Sequence, residues 1–164
     1  MEHLSIYDLL KETFGDEKVL EHVVTGEEET GLRDSFILLQ TESLPEVARF
    51  LRDDERTQFD MLHLVSGVDY PEYLESVYHI WSTRKRHWVV LKVRVSKENP
   101  RVPSLTSIFP AADWHERETY DLMGIIYEGH PNLVRILCAE GWEGHPLRKD
   151  YKIPDHEDLL EKGF

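Results

Sequence analysis

Three stretches in the last third of the chain gather the side chains most capable of chemistry. The first is Trp114-His115-Glu116-Arg117-Glu118-Thr119-Tyr120-Asp121. On a helix, Arg117 and Asp121 are i,i+4 neighbours and Glu118 and Asp121 are i,i+3 neighbours, so the three share a face. Two carboxylates on one face read as an acid/base pair, as half of a metal site, or as part of a surface ion-pair network. Arg117 between the acids favours the network, because a nearby cation lowers carboxylate pKa values and spoils a general acid. The catalytic version would be a free-standing metal-dependent enzyme using Glu118, Asp121 and His130 or His145.

The second stretch repeats a tripeptide, Gly129-His130-Pro131 and Gly144-His145-Pro146, with the single cysteine, Cys138, between the copies. Histidine, cysteine and acids in a short span invite zinc, but no Cys-x-x-Cys or His-x-x-x-His spacing is present. Proline pushes the residue before it into an extended form, so two rigid turns that aim the chain across a surface are the favoured reading. The third stretch, Arg148-Lys149-Asp150-Tyr151-Lys152, is a basic island, either a solvated patch or a dock for an acidic partner surface. The sequence has no Gly-rich phosphate loop, no Gly-x-Ser-x-Gly elbow and no cysteine cluster for iron and sulfur. We therefore expect no catalytic, cofactor-binding or metal-ligating residue in this chain.

Composition narrows the classes further. The 164 residues carry 32 acidic and 19 basic side chains, a net charge of −13, which opposes binding to nucleic acid or anionic lipid headgroups. Apolar residues make up 40%, as in a folded domain, and no apolar run approaches the roughly 18 residues of a membrane helix. A lone cysteine and the lack of a basic leader before an apolar segment point to a reducing, cytoplasmic setting. Glu27, Glu28 and Glu29 between Gly26 and Gly31 read as a solvated loop.

The elements that must position these groups follow from apolar periodicity. Ser5 and Asp8 fit a capping pattern before a helix with Leu4, Tyr7, Leu9, Leu10 and Phe14 on one face, ending at Gly15. Val19–Val24 and Ser35–Thr41 read as strands, paired as a hairpin or lying as neighbours. Ser43 and Glu46 form a capping box for a second helix, with Pro45 in its first turn, that runs to about Asp54. Phe59–Val68, Tyr73–Ser82 and His87–Ser96 predict a three-strand antiparallel meander. From position 100 on lie six of the eight prolines. There the spacing predicts a helix over Ala111–Met123, stopped by Gly124 in a left-handed conformation. Beyond it no sustained period is visible, although Ile125, Tyr127, Leu133, Leu137, Trp142, Leu147 and Tyr151 supply much apolar bulk. The expected fold is α+β: a single domain over 1–110 with a mostly antiparallel sheet flanked by helices. Residues 111–164 follow as the charged helix and an extended, irregular, partner-docking arm.

Within that last segment, Glu116-Arg117-Glu118-x-x-Asp121-x-x-Gly124-x-x-Tyr127-x-Gly129-His130-Pro131 is followed by Leu133-x-Arg135-Ile136-Leu137. Trp142-Glu143-Gly144-His145-Pro146-Leu147-Arg148-Lys149-Asp150-Tyr151 comes next. Together they closely resemble the signature of the 30-kilodalton family, the C subunits, of proton-pumping NADH:quinone oxidoreductase, respiratory complex I. One departure is Leu137-Cys138-Ala139-Glu140, where many members carry an apolar residue and proline before an acidic pair. The resemblance implies a non-catalytic scaffold subunit of the hydrophilic arm, on the cytoplasmic face of the inner membrane and attached to it only through the complex. FMN, Fe-S clusters and quinone would be held by partner subunits. The carboxy-terminal part would lie along the large D subunit, which holds the quinone site, near the B and I subunits. Loss of Glu118 or Arg148 is then expected to lower assembly more than folding. The same signature resembles the equivalent subunit of energy-converting nickel-iron hydrogenases and ferredoxin-type complexes.

Overall fold

The apolar periods resolve into three α-helices and seven strands among the described residues. The structure, a computed structural model, describes residues 3–24 and 35–153. The acidic Glu27–Glu29 loop and the side chains of Leu4 and Ser5 lie outside the described residues.

Helix α1 (His3–Phe14) buries Ile6, Leu9 and Leu10, spaced to share one face, and ends where the Gly15 N–H bonds back to the Lys11 carbonyl at 2.9 Å. Strands β1 (Val19–Val23) and β2 (Phe36–Leu39) pair antiparallel. Helix α2 (Leu44–Asp53) buries Leu44, Val47, Ala48 and Leu51. The expected capping box is not formed. A 3-10 turn at Thr41–Ser43 leads into α2, leaving Ser43 with helical dihedrals, and its hydroxyl donates to the Gln40 carbonyl at 2.7 Å. Glu46 pairs instead with Lys18.

β3 (Met61–Asp69), β4 (Tyr73–Ser82) and β5 (His87–Ser96) make the expected meander. Phe59, expected to begin it, is a buried wedge before β3, stacked on His87 with ring centres 4.6 Å apart. β2 joins β5 in parallel, Ile37 against Leu91, so the strand order is β1-β2-β5-β4-β3. One face packs Ile37, Leu39, Tyr78, Ile80, Leu91 and Val93 into a core with residues of α1 and α2. Each such side chain contributes about 1.5–3 kcal/mol by leaving water.

Two short strands escape the sequence periods. β6 (Arg101–Pro103) and β7 (Ile126–Glu128) pair in parallel around α3 (Ala112–Met123), a miniature β-α-β unit. Three residues are too few to show alternation. The unit joins the main core through Val102, Ala112, Met123, Ile125 and Tyr127. Helix α3 lies close on β3 because Gly67 has no side chain: a Cβ there would sit 2.9 Å from Met123 Cγ and 3.0 Å from Thr119 Cγ2.

Candidate partner-docking site

The candidate site is built on α3, whose buried stripe Ala112, Glu116, Thr119 and Met123 advances by four, three and four residues, one face of a helix. That stripe places a carboxylate, Glu116, fully inside the protein. It accepts the Ser104 hydroxyl at 2.6 Å and the Leu105 N–H at 2.7 Å. Burial pushes its pKa from 4.5 up to about 7, against the opposing pull of those two donors. Nearby, the buried Tyr127 hydroxyl shares a hydrogen bond of 2.9 Å with Ser76.

Asp121, also without exposure, has the opposite surroundings. One oxygen accepts Arg135 Nη1 at 2.9 Å, and the other accepts the N–H groups of Ile136, Leu137 and Cys138 at 2.9, 2.7 and 2.9 Å. Burial, the largest single influence, raises its pKa. The Cys138, Leu137 and Ile136 donors together override that and hold the carboxyl well below its usual range.

The expected pairing of Arg117 with Asp121 does not occur. Arg117 leans the other way: its guanidinium lies 4.8 Å from the centre of the Trp114 ring and donates to the Val134 carbonyl at 3.2 Å. Glu118 is exposed. The residues that a metal-dependent enzyme would need are thus spread over different environments. Among the described residues no group of three or more His, Cys, Asp or Glu is placed to hold a metal ion.

A helix leaves its last carbonyls without partners inside the helix, and here the downstream segment supplies them. The Tyr120 carbonyl keeps the last regular helical bond, from the Gly124 N–H at 2.9 Å, and the carbonyls after it turn to the downstream segment. The Asp121 carbonyl takes Arg135 Nη1 at 3.2 Å and His145 Nδ1–H at 3.0 Å, and the Leu122 carbonyl takes the Leu147 N–H at 3.0 Å. Arg135 also reaches the Gly144 carbonyl with Nη2 at 2.9 Å. Lys149 N–H bonds Asp69 of β3 at 2.7 Å.

Both Gly-His-Pro elements are turns whose glycine has positive φ, 83° at Gly129 and 77° at Gly144. His130 accepts the Asn132 N–H on Nδ1 at 3.0 Å, so Nε2 carries the proton given to the Asp113 carbonyl at 3.1 Å. Pro131 is exposed and Pro146 half-buried. Arg148 bonds Asp150 at 3.1 Å, so the basic island is partly neutralised within itself. Trp142 and Tyr151 are half-buried, and a Cβ on Gly144 would meet the Tyr151 ring at 2.9 Å.

Residues 37–157 match the sequence model of the family described as respiratory-chain NADH dehydrogenase, 30 Kd subunit. The chain belongs to that family. Among 30 Kd-family relatives, the C subunit of NADH-quinone oxidoreductase from Roseiflexus castenholzii is 49% identical over 76% of this chain and 73% of its own length. The C subunit from Chlorobium phaeobacteroides is 41% identical over 93% and 90%. That of Chloroherpeton thalassium is 42% identical over 93% of this chain, which spans only 62% of that relative's length. A solved trypsin-resistant fragment (1-134) of Nqo5 superposes with a TM-score of 0.54 at 31% identity, covering 65% of this chain and 87% of the fragment. A chain of the membrane-bound sulfane sulfur reductase, an archaeal respiratory membrane complex, shares the fold. Its TM-score is 0.66 at 20% identity, over 97% of this chain and 89% of its own.

In this member of the 30 Kd family two features of the site differ from what the sequence predicts: Glu116 is a core residue, and Asp121 pairs with Arg135 rather than Arg117. The first was legible in the four-three-four spacing of the stripe. The second was not, since Arg135 comes from 14 positions downstream. Among the described residues no helix is long and apolar enough to cross a membrane.

Proposed function

We propose that this chain is a non-catalytic scaffold subunit of the hydrophilic arm of a proton-translocating NADH:quinone oxidoreductase. In this reading it sits on the cytoplasmic face of the inner membrane and docks against the quinone-site D subunit, near the B and I subunits. FMN, Fe-S clusters and quinone belong to those and other partners. Residues 1–110 act as the supporting body, and the signature positions from Glu116 to Tyr151 face or shape the interface.

The observation that carries this reading is the way Asp121 and Arg135 hold an irregular segment in a fixed path while its Val134, Leu137 and Leu147, beside Trp114 of α3, stay outward. Leu137 and Leu147 are each 61% exposed, Val134 45% and Trp114 63%. Polar pinning of a segment with an apolar exterior is the arrangement of a preformed docking surface. NADH as the donor is supported by the 41–49% identity to NADH-quinone oxidoreductase subunits, against 20% for the sulfane sulfur reductase chain.

The test is Leu137→Ser combined with Leu147→Ser in the tagged full chain. Free-chain stability should change by less than about 0.5 kcal/mol per site, as for other exposed positions. Recovery of the quinone-site partner on the tagged chain should fall at least about tenfold, the equivalent of roughly 1.4 kcal/mol. Equal recovery from wild type and variant would overturn the reading.

A further inference from the structure

The sheet has two edges that are finished differently. β1 is five residues long, breaks register between Val19 and Glu21 and carries Glu21 and His22, so little regular edge remains on it. β3 is nine residues long; it too breaks register, between Leu62 and Leu64, but the six residues beyond that break pair regularly with β4, from Leu64 opposite His79 to Asp69 opposite Leu74. β3 pairs with β4 alone among the described residues, and neither Pro nor Lys interrupts its sequence Met61-Leu-His-Leu-Val-Ser-Gly-Val-Asp69. Among the described residues, the row of backbone N–H and C=O groups on that side of β3 therefore has no strand partner, the template that strand addition uses.

A groove of about 130 Å³ runs beside this row, between Leu64–Gly67 of the strand and Leu122 and Leu147 opposite, with Glu118 among its lining residues. Glu118 is exposed and has no hydrogen bond or ion pair among the described residues. We infer that β3 accepts an extended segment of another subunit as a sixth strand. Its alternate apolar side chains rest on Leu122 and Leu147, and a Lys or Arg meets Glu118. A second copy of this chain is disfavoured as the occupant, because two molecules of net charge −13 repel and each would bring a further acid to Glu118. Leu147 belongs both to this groove and to the apolar exterior of the pinned segment, so the edge continues the docking surface and deepens the subunit reading on which it rests.

The experiment compares residue-resolved amide exchange in the free full chain and in the complex purified through a tag on it. Strand addition slows alternate amides of Leu64–Asp69 at least tenfold in the complex, and Glu118→Lys lowers partner recovery about tenfold without altering exchange in the free chain. A complex in which these amides exchange as in the free chain, or are slowed uniformly without alternation, overturns the strand inference alone. Concentration-dependent slowing in the free chain assigns the edge to a second copy and also overturns it. Unchanged recovery with Glu118→Lys overturns the basic character of the occupant. A tagged chain that purifies with no partner overturns this inference and the subunit reading together.

Discussion

The body of the molecule and its C-terminal segment are held in place by different physics. Ile37, Leu91, Tyr78 and their neighbours are fixed by leaving water, a non-directional force that tolerates exchange of one apolar shape for another. Residues 133–151 bury far less, and keep their path through directional bonds that converge on the last turn of α3. The two buried acids of that helix epitomise the contrast. Glu116 points into the apolar body, which favours its neutral form, whereas Asp121 meets a guanidinium and three N–H groups, which favour its charge. A five-residue step along one helix reverses the direction of the pKa shift: both carboxyls are buried, and the sign is set by whether the donors outweigh burial, as at Asp121, or fall short of it, as at Glu116.

The contrast is most vulnerable at Asp121→Ala. Removing one member of a buried charge pair costs about 3–5 kcal/mol and strands Arg135 and three backbone donors. That cost should fall on the segment: tryptic cleavage at Arg135, Arg148 and Lys149 rises by about a hundredfold or more, while far-UV circular dichroism of the body holds. Unchanged cleavage would mean that the segment is fixed by something other than the carboxylate.

Glu116→Gln probes the other side. A carboxyl whose pKa is raised on folding, here from 4.5 to about 7, contributes most below pH 4.5, and that contribution is lost as pH climbs toward 7. The loss amounts to about 3 kcal/mol. Glutamine keeps an acceptor for Ser104 and Leu105 without the charge. Denaturant midpoints of the variant should therefore match wild type near pH 4 and exceed it near pH 7.5. Asp121 works with the opposite sign, its contribution being present above about pH 4 and lost on further acidification.

The smallest expected effect lies at the joint between the two regions. Gly124 has φ of 78°, and a Cβ there would sit 2.5 Å from His145 Cδ2. Gly124→Ala should cost roughly 1–2 kcal/mol for the left-handed conformation alone, with the clash in addition. In a double-mutant cycle read by denaturant midpoint, His145→Ala should make Gly124→Ala cheaper, since it opens the space. Strict additivity would place the cost entirely in the backbone.

Much of this was legible beforehand wherever a local rule was sufficient. The meander was readable from Val89, Leu91, Val93 and their partners, and the α3 stop from a glycine placed after the last periodic residue. The short β6 and β7 were not, because three residues do not establish a period, and neither was the parallel join of β2 to β5, which links residues 54 positions apart. The Ser43 capping box failed for a related reason: a 3-10 turn places Ser43 in helical geometry, where its hydroxyl turns back to Gln40.

Residue types and their spacing were enough for the α+β class, the strands and helices of the body, and membership of the 30 Kd family through a dense run of residues between Glu116 and Tyr151. What those residues do depends on the fold in three dimensions. Spacing along a helix can say which side chains share a face, but the partner of a buried charge is chosen by what the fold brings to it. Asp121 found Arg135 and the Ile136–Cys138 backbone rather than Arg117, its neighbour one turn away, because folding the chain back over α3 satisfies the carboxylate and the helix's orphan carbonyls together.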